Sequence, residues 1–190
     1  MKDSTIAKNQ LLDVKSMVLC SMFAALCAVG AFIQIPLPNL DYFTLQYLFV
    51  MLTAMLLGSK RGLISLSIYV LTGLVGFPVF AAGGGITYLL KPTFGYLLGF
   101  IVAAYITGYL VEKNNADNFL KYFMAGLAGF IVIYFIGFSY KYFILNFYLG
   151  IETPFYLIFW GAFPLDMPGD FLATILASIF AIKIKKAVKL

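Results

Sequence analysis

Six long apolar runs occupy most of this 190-residue sequence and leave only short segments between them. A helix needs about 20 apolar residues to cross the hydrocarbon core of a bilayer. At that length the chain can form about six spans and has no room for a soluble domain, so we predict a single transmembrane domain over residues 1–190. The apolar runs are 16–33, 45–57, 63–76, 93–111, 119–149 and 167–184.

The amino-acid composition also indicates that most of the protein surface faces lipid. Hydrophobic residues make up 63% of the sequence and charged residues 11%, a balance that a water-soluble domain does not need for its core. The sequence contains no histidine, which excludes histidine metal sites and Ser–His or Cys–His nucleophile pairs. Cys20 and Cys27 both fall in the first run and are interpreted as packing residues. We therefore expect no histidine-based metal site and no histidine-activated nucleophile.

The basic residues lie between the apolar runs and predict the orientation of the chain. With six crossings and both termini in the cytoplasm, eleven of the thirteen Lys and Arg residues fall on the inner side, as the positive-inside rule requires. Because these clusters set topology in a membrane protein, nucleic acid is not an expected partner. Lys91 and Lys141 are the two exceptions on the outer side.

Proline and glycine concentrate in the segments predicted to face outward. They include Pro36 and Pro38, the segment 76–85, Pro92 and the segment 154–168. Proline and glycine end helices and leave backbone N–H and C=O groups without helical hydrogen bonds. Inside a membrane, such groups are tolerated only where they line a cavity in the protein. The segments therefore indicate a cavity on this side, although ordinary exposed loops would show the same composition.

Two features in these segments carry groups that can bind a ligand. Gly83, Gly84 and Gly85 can bring main-chain N–H groups close to a bound molecule. No Gly-Lys-Ser/Thr follows them, so the chain shows no ATP site. Asp170 begins the last helix, where a carboxylate either caps the helix or meets a polar ligand group or Lys91.

A stripe of small residues marks the first helix. Ala24 and Ala28 are four residues apart, so they share a helix face that another helix can approach closely. The spacing is compatible both with docking of another protein and with packing inside this chain.

Several short motifs occur in a fixed order along the sequence. Together, from Ala24 to about Ala181, they resemble the BioY family, the biotin-binding S-components of energy-coupling-factor (ECF) vitamin transporters. The motifs are Ile35-Pro36-Leu37-Pro38, Phe43-Thr44-Leu45-Gln46, Leu57-Gly58 with Gly62, Tyr69, the segment 73–80, the triple glycine, the segment 92–100 and Pro168-Gly169-Asp170.

The resemblance implies an all-α bundle of six transmembrane helices of the ECF S-component type, without catalytic activity, metal or cofactor. Such a subunit captures biotin on the outer side of a prokaryotic plasma membrane. It docks, through the face of Ala24 and Ala28, on a transmembrane coupling protein that two cytoplasmic ATPases drive. By resemblance, the pocket residues are Thr44, Gln46, Phe80, Gly83, Gly84, Gly85, Tyr88 and Asp170.

The sequence departs from the family pattern at four positions. Many relatives carry a lysine where this chain has Ala173, and some carry an asparagine at Gly83 and an arginine at Leu97. Lys91 stands where glycine is usual. We therefore predict that Lys91 supplies the missing positive charge and meets the biotin carboxylate, while Asp170 holds the lysine or the ureido ring. The alternative is that Lys91 only extends to the lipid headgroups.

Two other functions are compatible with these residues. The altered pocket could serve another small vitamin in the same kind of transporter. A membrane enzyme acting on lipid carriers could use Asp166 and Asp170 as acid and base. Against the enzyme, the sequence has no histidine, no aspartate-rich metal motif and no evident nucleophile.

Overall fold

The computed structural model describes residues 13–36 and 42–188. Within these ranges the chain is helical apart from loops and one short antiparallel pair of strands, so the predicted all-α architecture is confirmed. The motif residues Leu37 and Pro38 lie outside the described residues. The elements are α1 Val14–Phe32, β1 Gln34–Pro36, β2 Tyr42–Thr44, α2 Gln46–Val75, the 3-10 helix Ile86–Leu90, α3 Phe94–Lys113, α4 Phe119–Phe143, the π-helical turn Ile144–Tyr148, α5 Phe155–Ala162 and α6 Asp166–Val188.

Helix α2 folds back on itself at Gly58, giving a first arm, 46–57, and a second arm, 59–75. Gly58 has φ +80° and ψ −174°, a conformation that is essentially restricted to glycine. The Gln46 side-chain amide donates a hydrogen bond to the Tyr69 hydroxyl at 3.0 Å, whereas a straight helix would separate these residues by about 34 Å. The second and third apolar runs are therefore two antiparallel segments, as the sequence predicts.

The chain thus passes through the bundle six times in alternating directions. In α1, the Cys20 carbonyl accepts a hydrogen bond from Ser65, close to the Gly58 turn, while Gly30 packs against the backbone of Gln46 at the other end. We call the end that contains Gly58 the basic end and the opposite one the loop end. The described basic residues at or near the basic end are Lys15, Lys60, Arg61, Lys113, Lys121, Lys183, Lys185 and Lys186.

Among the described residues, four helices are long and apolar enough to cross a membrane: Val14–Phe32, Gln46–Val75, Phe94–Lys113 and Phe119–Tyr148. The chain is therefore a membrane protein. Helix α6, which corresponds to the sixth apolar run, is not among these four and carries Lys185 and Lys186 in its last turn. Both ends of the described chain lie at the basic end, because α1 begins there and α6 ends there.

Small residues allow the central helices to approach closely. A Cβ atom at Gly99 of α3 would lie 3.0 Å from the Ile133 Cα of α4, and one at Gly108 would lie 2.4 Å from the backbone nitrogen of Ser59. Cys20 and Cys27 are buried and not disulfide-bonded, which confirms their interpretation as packing residues. The backbones of α2, α3 and α4 are therefore in close contact both beside the Gly58 turn and next to Ile133.

Candidate ligand-binding site

A cavity lies at the loop end, between the first arm of α2, α3, α4 and the start of α6. It encloses about 680 Å³ of empty space, its open mouth included. Its lining residues are Phe43, Thr44, Gln46, Tyr47, Ala81, Tyr88, Thr93, Tyr96, Leu97, Phe100, Ile133, Tyr134, Asp166 and Asp170.

Aromatic rings form much of the cavity wall. Tyr96 of α3 and Tyr134 of α4 meet edge to face, with their ring centroids 5.9 Å apart. The ring of Tyr88 packs against the ring of Phe80, with their centroids 4.6 Å apart. Phe80 is itself buried. The Tyr140 hydroxyl donates to the Leu89 carbonyl and ties the 3-10 helix that carries Tyr88 to α4. The wall therefore offers fixed ring surfaces on which a flat or aliphatic ligand body can pack.

The two ionisable side chains of the cavity wall both come from α6. Asp166 and Asp170 line the cavity from successive turns of the helix. The Tyr134 hydroxyl donates to Oδ2 of Asp170 at 2.8 Å, which fixes this carboxylate against α4. Gly169 makes room for the cavity residue Phe43, since a Cβ atom there would lie 2.3 Å from the Phe43 ring. The Pro-Gly-Asp motif thus positions an acceptor for N–H groups of a ligand.

One helical turn after Asp170, towards the basic end, two hydroxyl groups join α6 to the first arm of α2. Thr174 donates its hydroxyl proton to the Asp170 carbonyl at 2.8 Å. Its oxygen lies 2.9 Å from the Tyr47 hydroxyl, so Tyr47 is the donor in that pair. Tyr47 and Thr174 are both buried, and this network closes the inner side of the cavity.

Gln46 is held in a second network on the other side of the cavity. Its amide nitrogen donates to the Tyr69 hydroxyl, which in turn donates to the Val79 carbonyl at 3.0 Å. These bonds fix the amide plane of Gln46 and attach the segment 76–85 to the second arm of α2. Thr44 comes from β2, which pairs with β1.

The triple glycine forms a tight turn beside the cavity and does not line it. Gly83 and Gly85 have φ values of +102° and +101°, where glycine is strongly favoured. The N–H of Gly83 donates to Phe80 and that of Gly85 to Gly73, so both are used within the chain. At Gly84 a Cβ atom would lie 2.1 Å from the Phe77 carbonyl oxygen. The observed role of these glycines is therefore to shape the loop that holds Phe80.

Lys91 lies behind the cavity wall. Its Nζ donates to the Ala82 carbonyl at 3.0 Å and sits 4.8 Å from the centroid of the Tyr88 ring. It is half-buried and does not line the cavity, and the polar partner of Asp170 is Tyr134. Lys91 is thus one aromatic layer away from the space that a ligand would fill.

The two alanines of α1 differ in exposure. Ala24 is buried against this chain's own core, while Ala28 is half-buried. Ser21 and Ala25 are the exposed small residues nearby. Ala24 therefore packs inside the subunit, and the surface of α1 that a partner can reach runs through Ser21, Ala25 and Ala28.

The structure brings four of the predicted pocket residues into the cavity wall: Thr44, Gln46, Tyr88 and Asp170. Phe80, the three glycines and Lys91 lie around it. Sequence reasoning missed Tyr47, Ile133 and Tyr134, which belong to no motif. The available signal for Tyr134 was a hydroxyl in the middle of an apolar run, because polar groups at membrane depth need a partner. No group of three or more metal-ligating side chains occurs among the described residues.

A helical bundle in the membrane with a polar and aromatic cavity at one end defines a solute-binding membrane protein. The family model of the BioY family matches residues 4–190, and the chain belongs to that family.

The chain is 43% identical to the probable biotin transporter BioY of Lysinibacillus sphaericus, over 90% of this chain and 87% of that protein. It is 38% identical to the biotin transporter BioY of Thermotoga maritima, over 91% of this chain and 97% of that protein. The fold is similar to the crystal structure of the S-component for biotin from an ECF-type ABC transporter. That comparison gives a TM-score of 0.78 and 23% identity, over 98% of this chain and 95% of the other.

Proposed function

We propose that this protein is the biotin-binding S-component of an ECF-type importer in a prokaryotic plasma membrane. The observation that carries the proposal is the aromatic cavity with Asp170 at its wall, in a chain whose BioY relatives are named biotin transporters. The basic end faces the cytoplasm by the positive-inside rule, so the cavity opens outward. As a member of a transporter family the chain is not an enzyme, and it acts by binding and reorientation.

The chemistry of biotin suits the residues of the cavity. Its bicyclic ring and aliphatic chain are apolar and can pack against Tyr88, Tyr96 and Phe100. Its ureido N–H groups can donate to the carboxylates of Asp166 or Asp170, which are otherwise costly to bury. We propose that these contacts use no metal, cofactor or ATP, and that ATP is consumed by the partner ATPases only.

Calorimetry on the purified chain in mild detergent tests the proposal. We expect tight binding of biotin with neither ATP nor metal present, because contacts within the chain hold the aromatic wall and the Asp170 carboxylate in place. Thiamine and riboflavin, two other vitamins, serve as controls and should not bind. Binding of one of these vitamins in place of biotin would assign the chain to another S-component specificity and reject the proposal.

Lys91 provides a prediction about the carboxylate of the ligand. We expect wild type to prefer biotin over the uncharged biotin amide, and Lys91→Ala to lose that preference. A charge-assisted hydrogen bond contributes about 1.5–3 kcal/mol, so the loss should be roughly ten- to a hundred-fold in Kd. To make this contact, Lys91 must leave the Ala82 carbonyl. Lys91→Arg keeps the charge and should keep the preference; if Lys91→Ala still prefers the acid, the contact does not form.

The docking surface provides a prediction about transport. We propose that the coupling protein contacts α1 at Ala28 together with its exposed neighbour Ala25. Phenylalanine at position 25 or 28 should prevent close helix approach and abolish uptake in cells that carry the complete transporter, with biotin binding intact. Ala24→Phe should instead impair folding, since Ala24 lies in the core.

The control is Ile131→Phe, which places the same aromatic side chain at an exposed position of α4. It should leave uptake unchanged. If Ala25→Phe and Ala28→Phe transport biotin normally, docking uses a different face of the bundle.

A further inference from the structure

The segment between α4 and α6 has a composition unlike that of a water-exposed loop. Glu152 is the only charged residue between Lys141 and Asp166. The segment contains α5, which is eight residues long, or about 12 Å. A helix of that length cannot cross a membrane, which needs about 20 residues.

Helix α5 has one face packed on the bundle. Ile158 and Ala162 are buried and form a small cluster with Tyr134 and Phe138 of α4. The Phe138 ring lies 6.1 Å from that of Phe159, and 5.3 Å from that of Tyr134, which lines the cavity. The inward face of α5 therefore supports the aromatic wall of the cavity from behind.

The other face of α5 is apolar and uncovered. Tyr156 is 60% exposed, Trp160 is 58% exposed, and Leu157 and Phe163 are exposed as well. Leaving these side chains in water would forfeit the free energy that their burial releases, about 25 cal/mol for each Å² of apolar surface. A covering layer of low polarity is therefore required.

Membrane lipid fits this surface better than a protein partner. Phe155 at the start of α5 contacts the Tyr142 ring, which contacts Phe143 and Phe147. These two residues are exposed, as is Phe135 on the membrane-spanning helix α4. Tyrosine and tryptophan are the residues enriched at membrane interfaces, and short helices with one apolar face lie in that plane. Helix α5 contains no charged residue, so it has no group that could form an ion pair with a protein partner.

We infer that α5 lies in the lipid–water interface at the loop end, with Tyr156, Leu157, Trp160 and Phe163 in contact with lipid. The membrane thereby covers the outer face of the helix whose inner face holds Phe138 against Tyr134. This inference does not depend on which ligand the cavity binds.

Trp160 is the only tryptophan of the chain, so its fluorescence reports on α5 alone. The wild-type protein is reconstituted into phosphatidylcholine vesicles whose acyl chains carry bromine either near the headgroup or near the chain end. We expect bromolipid to quench Trp160, more strongly with the shallow bromines, and aqueous iodide to quench it weakly.

Two reference proteins calibrate the depth. In a Trp160→Phe background, Phe135→Trp places the probe on the spanning part of α4, and Asp117→Trp places it in the exposed loop between α3 and α4. The first should respond to deep bromines and the second to iodide. Wild type should lie between them and closer to the lipid reference.

Quenching of Trp160 by iodide to the level of the Asp117→Trp reference would place α5 in water and overturn the inference. Protection from both quenchers would mean that protein covers the helix. If that protection is lost on dilution into excess lipid, the covering protein is a second copy of this chain. Either result would exclude lipid as the layer on α5.

Discussion

Asp170→Asn is expected to weaken biotin binding by roughly ten- to a hundred-fold, corresponding to about 1.5–3 kcal/mol for hydrogen bonds to a charged group. The carboxylate lines the cavity and is oriented by the Tyr134 hydroxyl at 2.8 Å. An asparagine has a similar shape, but it replaces one acceptor oxygen by a donor. Ligand N–H groups would then face a weaker acceptor or an N–H group. Calorimetry on the detergent-solubilised variant measures the effect.

Two further variants serve as comparisons for Asp170→Asn. Tyr134→Phe keeps the charge and removes only the hydrogen bond that orients it, so we expect a smaller loss of affinity. Glu152→Gln makes the same carboxylate-to-amide change at an exposed position outside the cavity and should bind as wild type does. Unchanged affinity in Asp170→Asn would mean that the carboxylate serves only the packing of α6 against α4 through Tyr134, since α6 begins at Asp166 and Asp170 does not cap it. The melting temperature of each unliganded variant checks its folding.

Gly58→Ala is expected to lower the free energy of unfolding by roughly 2–4 kcal/mol, from backbone strain and lost hydrogen bonds. Gly58 adopts φ +80° at the turn between the two arms of α2. Glu112 of α3 lies against this turn, where its carboxylate accepts hydrogen bonds from the Ser59 N–H at 2.9 Å and the Ser59 hydroxyl at 2.6 Å. A Cβ atom at position 58 would lie 2.0 Å from that carboxylate and displace it.

Gly76→Ala is the matched control for this prediction. Gly76 also has a positive φ, +123°, but a Cβ atom there meets nothing within 4 Å. Its substitution should cost only the strain, about 1–2 kcal/mol. Thermal or denaturant unfolding in detergent compares the two variants. Equal destabilisation would show that the Glu112 contact contributes nothing.

The fold could be predicted from the sequence because its determinants are local. The length and apolarity of each run predict a helix in lipid, and Gly58 and Gly62 separate the second run from the third. Sequence reasoning also expected an outward cavity from the proline and glycine segments, and the cavity does lie at the end opposite the basic residues. The motifs identified the family, to which the chain belongs.

The site was predicted only in part, because a motif does not show which way a side chain points. Asp170 and Gln46 line the cavity, but Lys91 is directed to a carbonyl of its own loop. Ala24 and Ala28 share a spacing, yet the structure places only Ala28 near the surface.

The sequence by itself determined the membrane environment, the six passes and the family, since these depend on the apolarity, length and order of its segments. Only the tertiary structure decided that Tyr47 and Tyr134 join the site and that Tyr134 orients Asp170. The reason is geometric: Tyr134 and Asp170 are 36 residues apart in the chain, and their hydroxyl and carboxylate meet only when α4 and α6 pack together.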